Sequence, residues 1–186
     1  PLSSASAGDI HERTSFFLIR GSTFDQLDRP IGMKGPHLGS SGRRAGITNV
    51  AFEDDATFKE IPGGCRIDRA GVKLKLHTTL PQWSSPHEAT SQTKALWKKH
   101  RDKVAAHEAE HSRIAKHWLK RIEARIRSLP AEADCASMER RVASEMRSLR
   151  KQHDADQLAF DAAESRRIRV DQWNKLAQSS ENTAIR

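Results

Sequence analysis

The spacing of apolar and polar positions changes near residue 84 and divides the chain in two. Before that point the apolar runs are short and punctuated. Ser15-Phe16-Phe17-Leu18-Ile19 predicts a buried strand, closed by Gly21. Ser22, with Asp25 three positions on, predicts the capped start of a short helix that Pro30 stops. The glycine-rich stretch 32–46 predicts a loop, Ile47–Phe52 and Thr57–Ile61 two more strands, and Pro62-Gly63-Gly64 a turn. Cys65 to His77 predicts the clearest strand. There Val72, Leu74 and Leu76 alternate with Lys73, Lys75 and His77, so one face is buried and the other wet. Leu80-Pro81-Gln82-Trp83 ends this half.

After residue 84 the period becomes helical. Ser85-Pro86-His87-Glu88 predicts a helix start, with Ser as cap, Pro at the first helical position and Glu three after the cap. Trp97, Val104, His107, His111, Ile114, Trp118, Ile122 and Ile126 then follow near helical spacing to Leu129, where Pro130 interrupts. A second helix starts around Asp134 to Ser137 and carries Met138, Val142, Met146 and Leu149 on one stripe, running through Phe160 to about Trp173. Two long helices joined by a short proline-containing turn predict an antiparallel hairpin. The expected class is α+β, a small antiparallel twisted sheet packed on a long antiparallel helical hairpin. Residues 1–12 are expected to be flexible. Residues 13–178 form one domain, with 13–83 its strand-rich half and 84–178 the hairpin, and residues 179–186 form a flexible tail.

Composition narrows the class. A chain of 186 residues fits a single domain, but 36% apolar and 30% charged residues with no Tyr leave it a modest core. No apolar run approaches the roughly 18 residues needed to cross a bilayer. The net charge of +8 raises nucleic acid as a partner, yet Lys and Arg alternate with Asp and Glu along the helices. Without a dense basic block or aromatic–basic interleaving, no nucleic-acid partner is expected. Cys65 and Cys135 are in no CxxC pattern, which rules out a cysteine-only zinc site and leaves either two free thiols or one disulfide. A disulfide would place the protein in an oxidising compartment. The start at Pro1-Leu2-Ser3-Ser4 reads as a trimmed terminus, so a signal peptide is expected to have been removed.

The chemistry concentrates in His107-Glu108-Ala109-Glu110-His111, an H-E-x-x-H pattern inside the first long helix. Two histidines at i and i+4 lie about 40° apart around a helix axis, so both can reach one metal ion. The glutamate beside the first is then placed to take a proton from an attacking water, the core of a zinc peptidase site. Such a site needs a third protein ligand. His117 has the metzincin spacing from His111, but that pattern needs a helix-breaking glycine where this chain has Ile114. In a continuous helix His117 lies roughly 120° around from His111. The returning helix is the other source. With the turn centred near Ala131 and Glu132, residues 107–111 sit level with about 152–157. Asp154, Gln157, Asp161 and Glu164 share a face there, next to His153. The same stripe could instead pair with Arg113, Lys116 and Lys120 across the hairpin, so Asp161, Asp154, His153, Glu164 and His117 all stay open.

Taken in order, Gly46-Ile47-Thr48, Cys65, Leu80-Pro81-Gln82-Trp83, His107-Glu108-x-x-His111, Cys135 and Phe160-Asp161 resemble a bacterial family catalogued as domain of unknown function 922. Its members are described as predicted secreted or periplasmic zinc-dependent proteases, and the resemblance spans residues 14 to 168. It implies a zinc metallopeptidase acting on peptide or protein substrates, with a gluzincin-like arrangement. His107 and His111 would be ligands, Asp161 the third ligand and Glu108 the general base. It also implies a Cys65–Cys135 disulfide in an exported protein. The family follows its aromatic-Asp pair with a His-Gly, and here Arg166-Arg167 stand at those positions. If that histidine acts at the site, Asp161, Asp154 or His153 must complete it. The rival expectation is a catalytically weak or inactive binding module of the bacterial envelope.

Overall fold

The computed structural model describes residues 9–37 and 43–184. In chain order the elements are β1 (Asp9–Ile19), α1 (Phe24–Lys34), β2 (Ile47–Asp54), β3 (Thr57–Ile61), β4 (Gly64–Arg69), β5 (Val72–Trp83), a 3-10 turn at Pro86–Glu88, α2 (Ser91–Arg127) and α3 (Cys135–Ala184). The class is α+β. One sheet has the order β1-β5-β2, and β3 and β4 form a separate two-stranded ribbon.

The central sheet is mixed. β2 runs antiparallel to β5, with Ile47 opposite Thr79 and Asp54 opposite Val72. β1 lies parallel to β5 along its whole length, from Asp9 opposite Lys73 to Ile19 opposite Trp83. A parallel neighbour needs a long crossover, and everything from α1 to β4 supplies it. This pairing also extends β1 back to Asp9, so residues 9–12 are ladder strand and not a flexible end. Residues 1–8 lie outside the described residues.

The strand expected over Cys65–His77 is two strands, β4 and β5, separated at Ala70-Gly71. At Gly71 the chain crosses close to Asp55: its carbonyl accepts the Asp55 N–H at 3.0 Å, and a Cβ there would lie 2.6 Å from the Asp55 carbonyl oxygen. The β3–β4 turn is as the sequence predicts, with Gly63 at φ 82° after Pro62.

Helix ends moved where a better cap was available. α1 is capped by Thr23, not Ser22, and it passes through Pro30 to Lys34. Leu27 and Ile31, on either side of the proline, are both buried with Ile19, Trp83 and Trp97, which holds the extra turn. Ser85 makes no capping bond and opens only the 3-10 turn. α2 begins after Thr90, whose hydroxyl accepts the Thr93 N–H at 3.1 Å. Asp134 caps α3 through the Ser137 N–H at 2.6 Å. α3 continues to Ala184, through most of the stretch expected to be a flexible tail, and residues 185–186 lie outside the described residues.

The main core lies between the sheet and the hairpin. Phe52, Val72, Leu74 and Leu76 meet Trp118, Leu119, Ile122 and Ile126 of α2 and Met138, Val142, Met146 and Leu149 of α3. The cross-helix contacts run Arg125–Glu145, Trp118–Asp156, His111–Gln157 and His107–Glu164, which is antiparallel. At the turn, Cys65 and Glu132 exchange backbone hydrogen bonds of 2.8 and 2.9 Å, and Cys65 is disulfide-bonded to Cys135. The connection is thereby held extended against β4 up to the start of α3 at Cys135, within the range the sequence predicts. His107 consequently faces Glu164 and not the 152–157 stretch that a tight turn at 131–132 would have brought level with it.

Candidate metal centre

The two histidines of the pattern do converge. His107 Nε2 and His111 Nε2 are 3.1 Å apart. Asp161 Oδ1, from α3, lies 3.3 Å from the first and 3.1 Å from the second. Three edges of that length fit atoms at roughly 1.9–2.0 Å from a common centre in a tetrahedron, close to the ~2.0–2.1 Å of zinc–imidazole and zinc–carboxylate bonds. Asp161 Oδ1 is buried and accepts no hydrogen bond among the described residues. Two imidazole lone pairs and an orphaned carboxylate oxygen pointing at one another call for a cation. His107, His111 and Asp161 are the one group of three or more among the described residues placed to hold a metal ion.

The other ligand candidates lie elsewhere. His117 is exposed, about a third of a turn around α2 from His111, and is not part of the cluster. Glu164 bonds to His107 Nδ1, the nitrogen away from the cluster. Asp154 is mostly exposed and bonds to His153, while His153 is buried and bonds to Gln157. The expected alternative, an acidic stripe pairing with Arg113, Lys116 and Lys120, is not seen among the described residues. Arg113 pairs with Glu110 of its own helix and Lys116 with Glu12 of β1. Both imidazoles therefore have acceptors on the nitrogens turned away from the cluster, Glu164 for His107 and Gln157 for His111 at 2.5 Å. Such partners fix ring orientation and tautomer. Phe160 packs against both rings, with centroids 5.0 and 5.1 Å away.

Glu108 is buried, with 3% of its surface exposed. β2 crosses α2 there, and the Thr48 hydroxyl donates to Glu108 Oε2 at 2.8 Å. Burial pushes the Glu108 carboxyl above its ordinary range, and the Thr48 hydrogen bond opposes that rise. Gly46 makes room for the carboxylate: a Cβ there would lie 2.8 Å from Val104 Cγ1 and 3.0 Å from Glu108 Oε1. The role of Thr48 was missed from the sequence, although a signal existed. It is polar at a strand position whose alternate neighbours, Val50 and Phe52, face the helices.

Two cavities meet at the pattern. One, of about 670 Å³, runs between β2 (Ile47–Val50) and α3 (Leu158, Asp161, Ala162). The other, of about 830 Å³, opens towards His100, Lys103 and Arg167. Arg44, Gly46, His107, Glu108 and Glu164 border both. Arg166 is exposed and borders neither of them, while Arg167 pairs with Glu164 at 3.3 Å.

Fold and cleft together define a disulfide-linked α+β protein with a half-buried cluster of two histidines and one carboxylate between its long helices. Residues 14–167 match a bacterial family of unknown function, DUF922, and the chain belongs to that family. No curated protein and no solved structure matches it. No helix among the described residues is long and apolar enough to cross a membrane.

Proposed function

We propose that this protein is a zinc-dependent metallopeptidase of the bacterial envelope. The observation that carries the reading is the convergence of His107 Nε2, His111 Nε2 and Asp161 Oδ1 within hydrogen-bonding distance of one another, one residue along α2 from a buried carboxylate. Zinc held by these three residues supplies a Lewis acid that polarises a peptide carbonyl and acidifies water. Glu108 takes the proton of the attacking water and passes it to the leaving amine. Thr48 ties down Oε2 of that carboxylate, which directs the proton to Oε1.

The sheet supports a peptide substrate. β2 is an edge strand, and the Phe52 carbonyl points outward to accept from Arg150. By the alternation of an antiparallel ladder, the backbone groups of Val50 and Thr48 point outward too. They face the cleft, where an extended peptide can pair with them. The disulfide supports an oxidising compartment, hence a periplasmic or secreted protein.

Glu108→Gln tests the mechanism: the variant keeps stoichiometric zinc and loses hydrolysis of an unfolded protein substrate. A variant that cleaves as well as the parent would sink it. Arg166-Arg167, in place of the family's His-Gly, favours a second reading, an envelope binding module without turnover. Zinc content after purification without added metal separates the two, since a binder has no need of stoichiometric zinc.

A further inference from the structure

His153 is a histidine 4% exposed inside α3, and the reaction proposed above does not use it. Its neighbours fix every proton between it and the cluster. The Gln157 amide nitrogen lies 3.1 Å from the His111 backbone carbonyl oxygen, which only accepts. The amide NH2 therefore faces that carbonyl, and Gln157 Oε1 faces His111 Nδ1 at 2.5 Å. Since Oε1 also only accepts, His111 must carry its proton on Nδ1, and its Nε2 lone pair is left pointing at His107 and Asp161.

The second hydrogen of the Gln157 NH2 group meets His153 Nε2 at 2.8 Å. His153 Nε2 must then be the bare nitrogen. Its proton sits on Nδ1 and is donated to Asp154 Oδ1 at 2.9 Å. With the opposite His153 tautomer, Nε2–H would face the NH2 group, donor against donor. Turning the amide over would relieve that clash, but it would aim an N–H at His111 Nδ1 and drive the His111 proton to Nε2, where a metal has to bind. Edge-on packing of the His153 ring against Phe52, 5.0 Å between centroids, keeps the ring in place.

We propose that Asp154, His153 and Gln157 form an orienting relay that holds His111 as its Nδ1–H tautomer and so sets the affinity of the cluster for zinc. The proposal rests on the metal reading above, and not on peptide hydrolysis.

Zinc affinity of the full chain, measured by competition with a chromophoric chelator, tests it. Gln157→Leu weakens binding about 10–100-fold, the usual cost of removing an outer partner of a metal-bound histidine. Gln157→Glu, which still accepts from Nδ1–H, binds zinc more tightly than Gln157→Leu. His153→Phe preserves the packing on Phe52 but not the acceptor. It weakens binding in the parent background and not in the Gln157→Leu background, because both changes act through one group. A purely structural His153 would lower the melting temperature equally in both backgrounds and leave affinity alone. A parent that binds no zinc overturns the relay and the peptidase together. Equal weakening by His153→Phe in both backgrounds of a zinc-binding parent overturns the relay only. Should Gln157→Leu fail to fold, histidine ¹⁵N shifts of the zinc-free parent decide: His111 protonated on Nδ1 supports the relay, and protonation on Nε2 overturns it.

Discussion

Asp161→Asn should change the stability of this protein in opposite directions with and without zinc. In metal-free protein Asp161 Oδ1 lies 3.1 and 3.3 Å from His111 Nε2 and His107 Nε2, the nitrogens opposite those that face Gln157 and Glu164, and has no donor to satisfy it. An asparagine amide in that place offers an N–H to one of these Nε2 atoms. One such hydrogen bond contributes about 1 kcal/mol, and a chain of this size shifts by roughly 2–4 °C per kcal/mol. In EDTA the variant should therefore melt about 2–4 °C above the parent. In zinc at a thousandfold over its Kd, the parent gains about 4.1 kcal/mol, roughly 8–16 °C. Removing the anionic ligand costs at least about 100-fold in affinity, or ~2.8 kcal/mol, which leaves the variant a zinc shift of only about 3–6 °C. The melting order of the two proteins should thus reverse between EDTA and zinc in a thermal scan. A variant less stable than the parent in EDTA, or one with the full zinc shift, would refute the reasoning.

Three further outcomes follow from other parts of the molecule. Replacing Cys65 and Cys135 by Ala opens a cross-link spanning 70 positions, worth about 4.4 kcal/mol in the chain-entropy model; a urea midpoint unchanged from the parent would contradict it. Gly46→Ala drives a methyl into Val104 and Glu108 and should destabilise by about 1–3 kcal/mol by urea denaturation, whereas a parental midpoint would mean the cleft yields freely. Burial raises the pKa of Glu123, a residue 8% exposed. Its stabilising contribution is complete below the unfolded carboxyl's titration and is lost as pH rises through the raised folded value. Glu123→Gln should accordingly be more stable than the parent at neutral pH and lose that advantage below about pH 4.5, and an advantage independent of pH would exclude this cause.

What could be read from the sequence followed the range of the interactions. The hairpin was legible because 3.6-residue periodicity, the Asp134 cap and the Met138-Val142-Met146-Leu149 stripe are all local. The histidine pair was legible for the same reason, since helix geometry alone brings residues 107 and 111 together. Nothing local in Asp9–Ile19 indicates that it lies parallel to a strand more than 60 positions away, and the sheet was accordingly expected to be antiparallel throughout. The α3 stripe identified a face but not its register. The backbone pair between Cys65 and Glu132 sets that register, and with it decides that Asp161 meets the histidines while Glu164 and Gln157 stand behind them. Thr48 reaches Glu108 only through the packing of β2 on α2, a contact with no trace in chain spacing beyond its odd polarity.

The Cys65–Cys135 bond fixes where α3 begins, and the cluster needs Asp161 at a set angle about the axis of that helix. The interval from Cys135 to Asp161 therefore works as a ruler. A single residue inserted or deleted within it turns Asp161 by about 100° and shifts it by about 1.5 Å, out of reach of both imidazoles. Seven residues, close to two full turns, restore the angle but displace the carboxylate by about 10 Å. Substitution is the form of variation this stretch of helix can absorb; changes in its length are not.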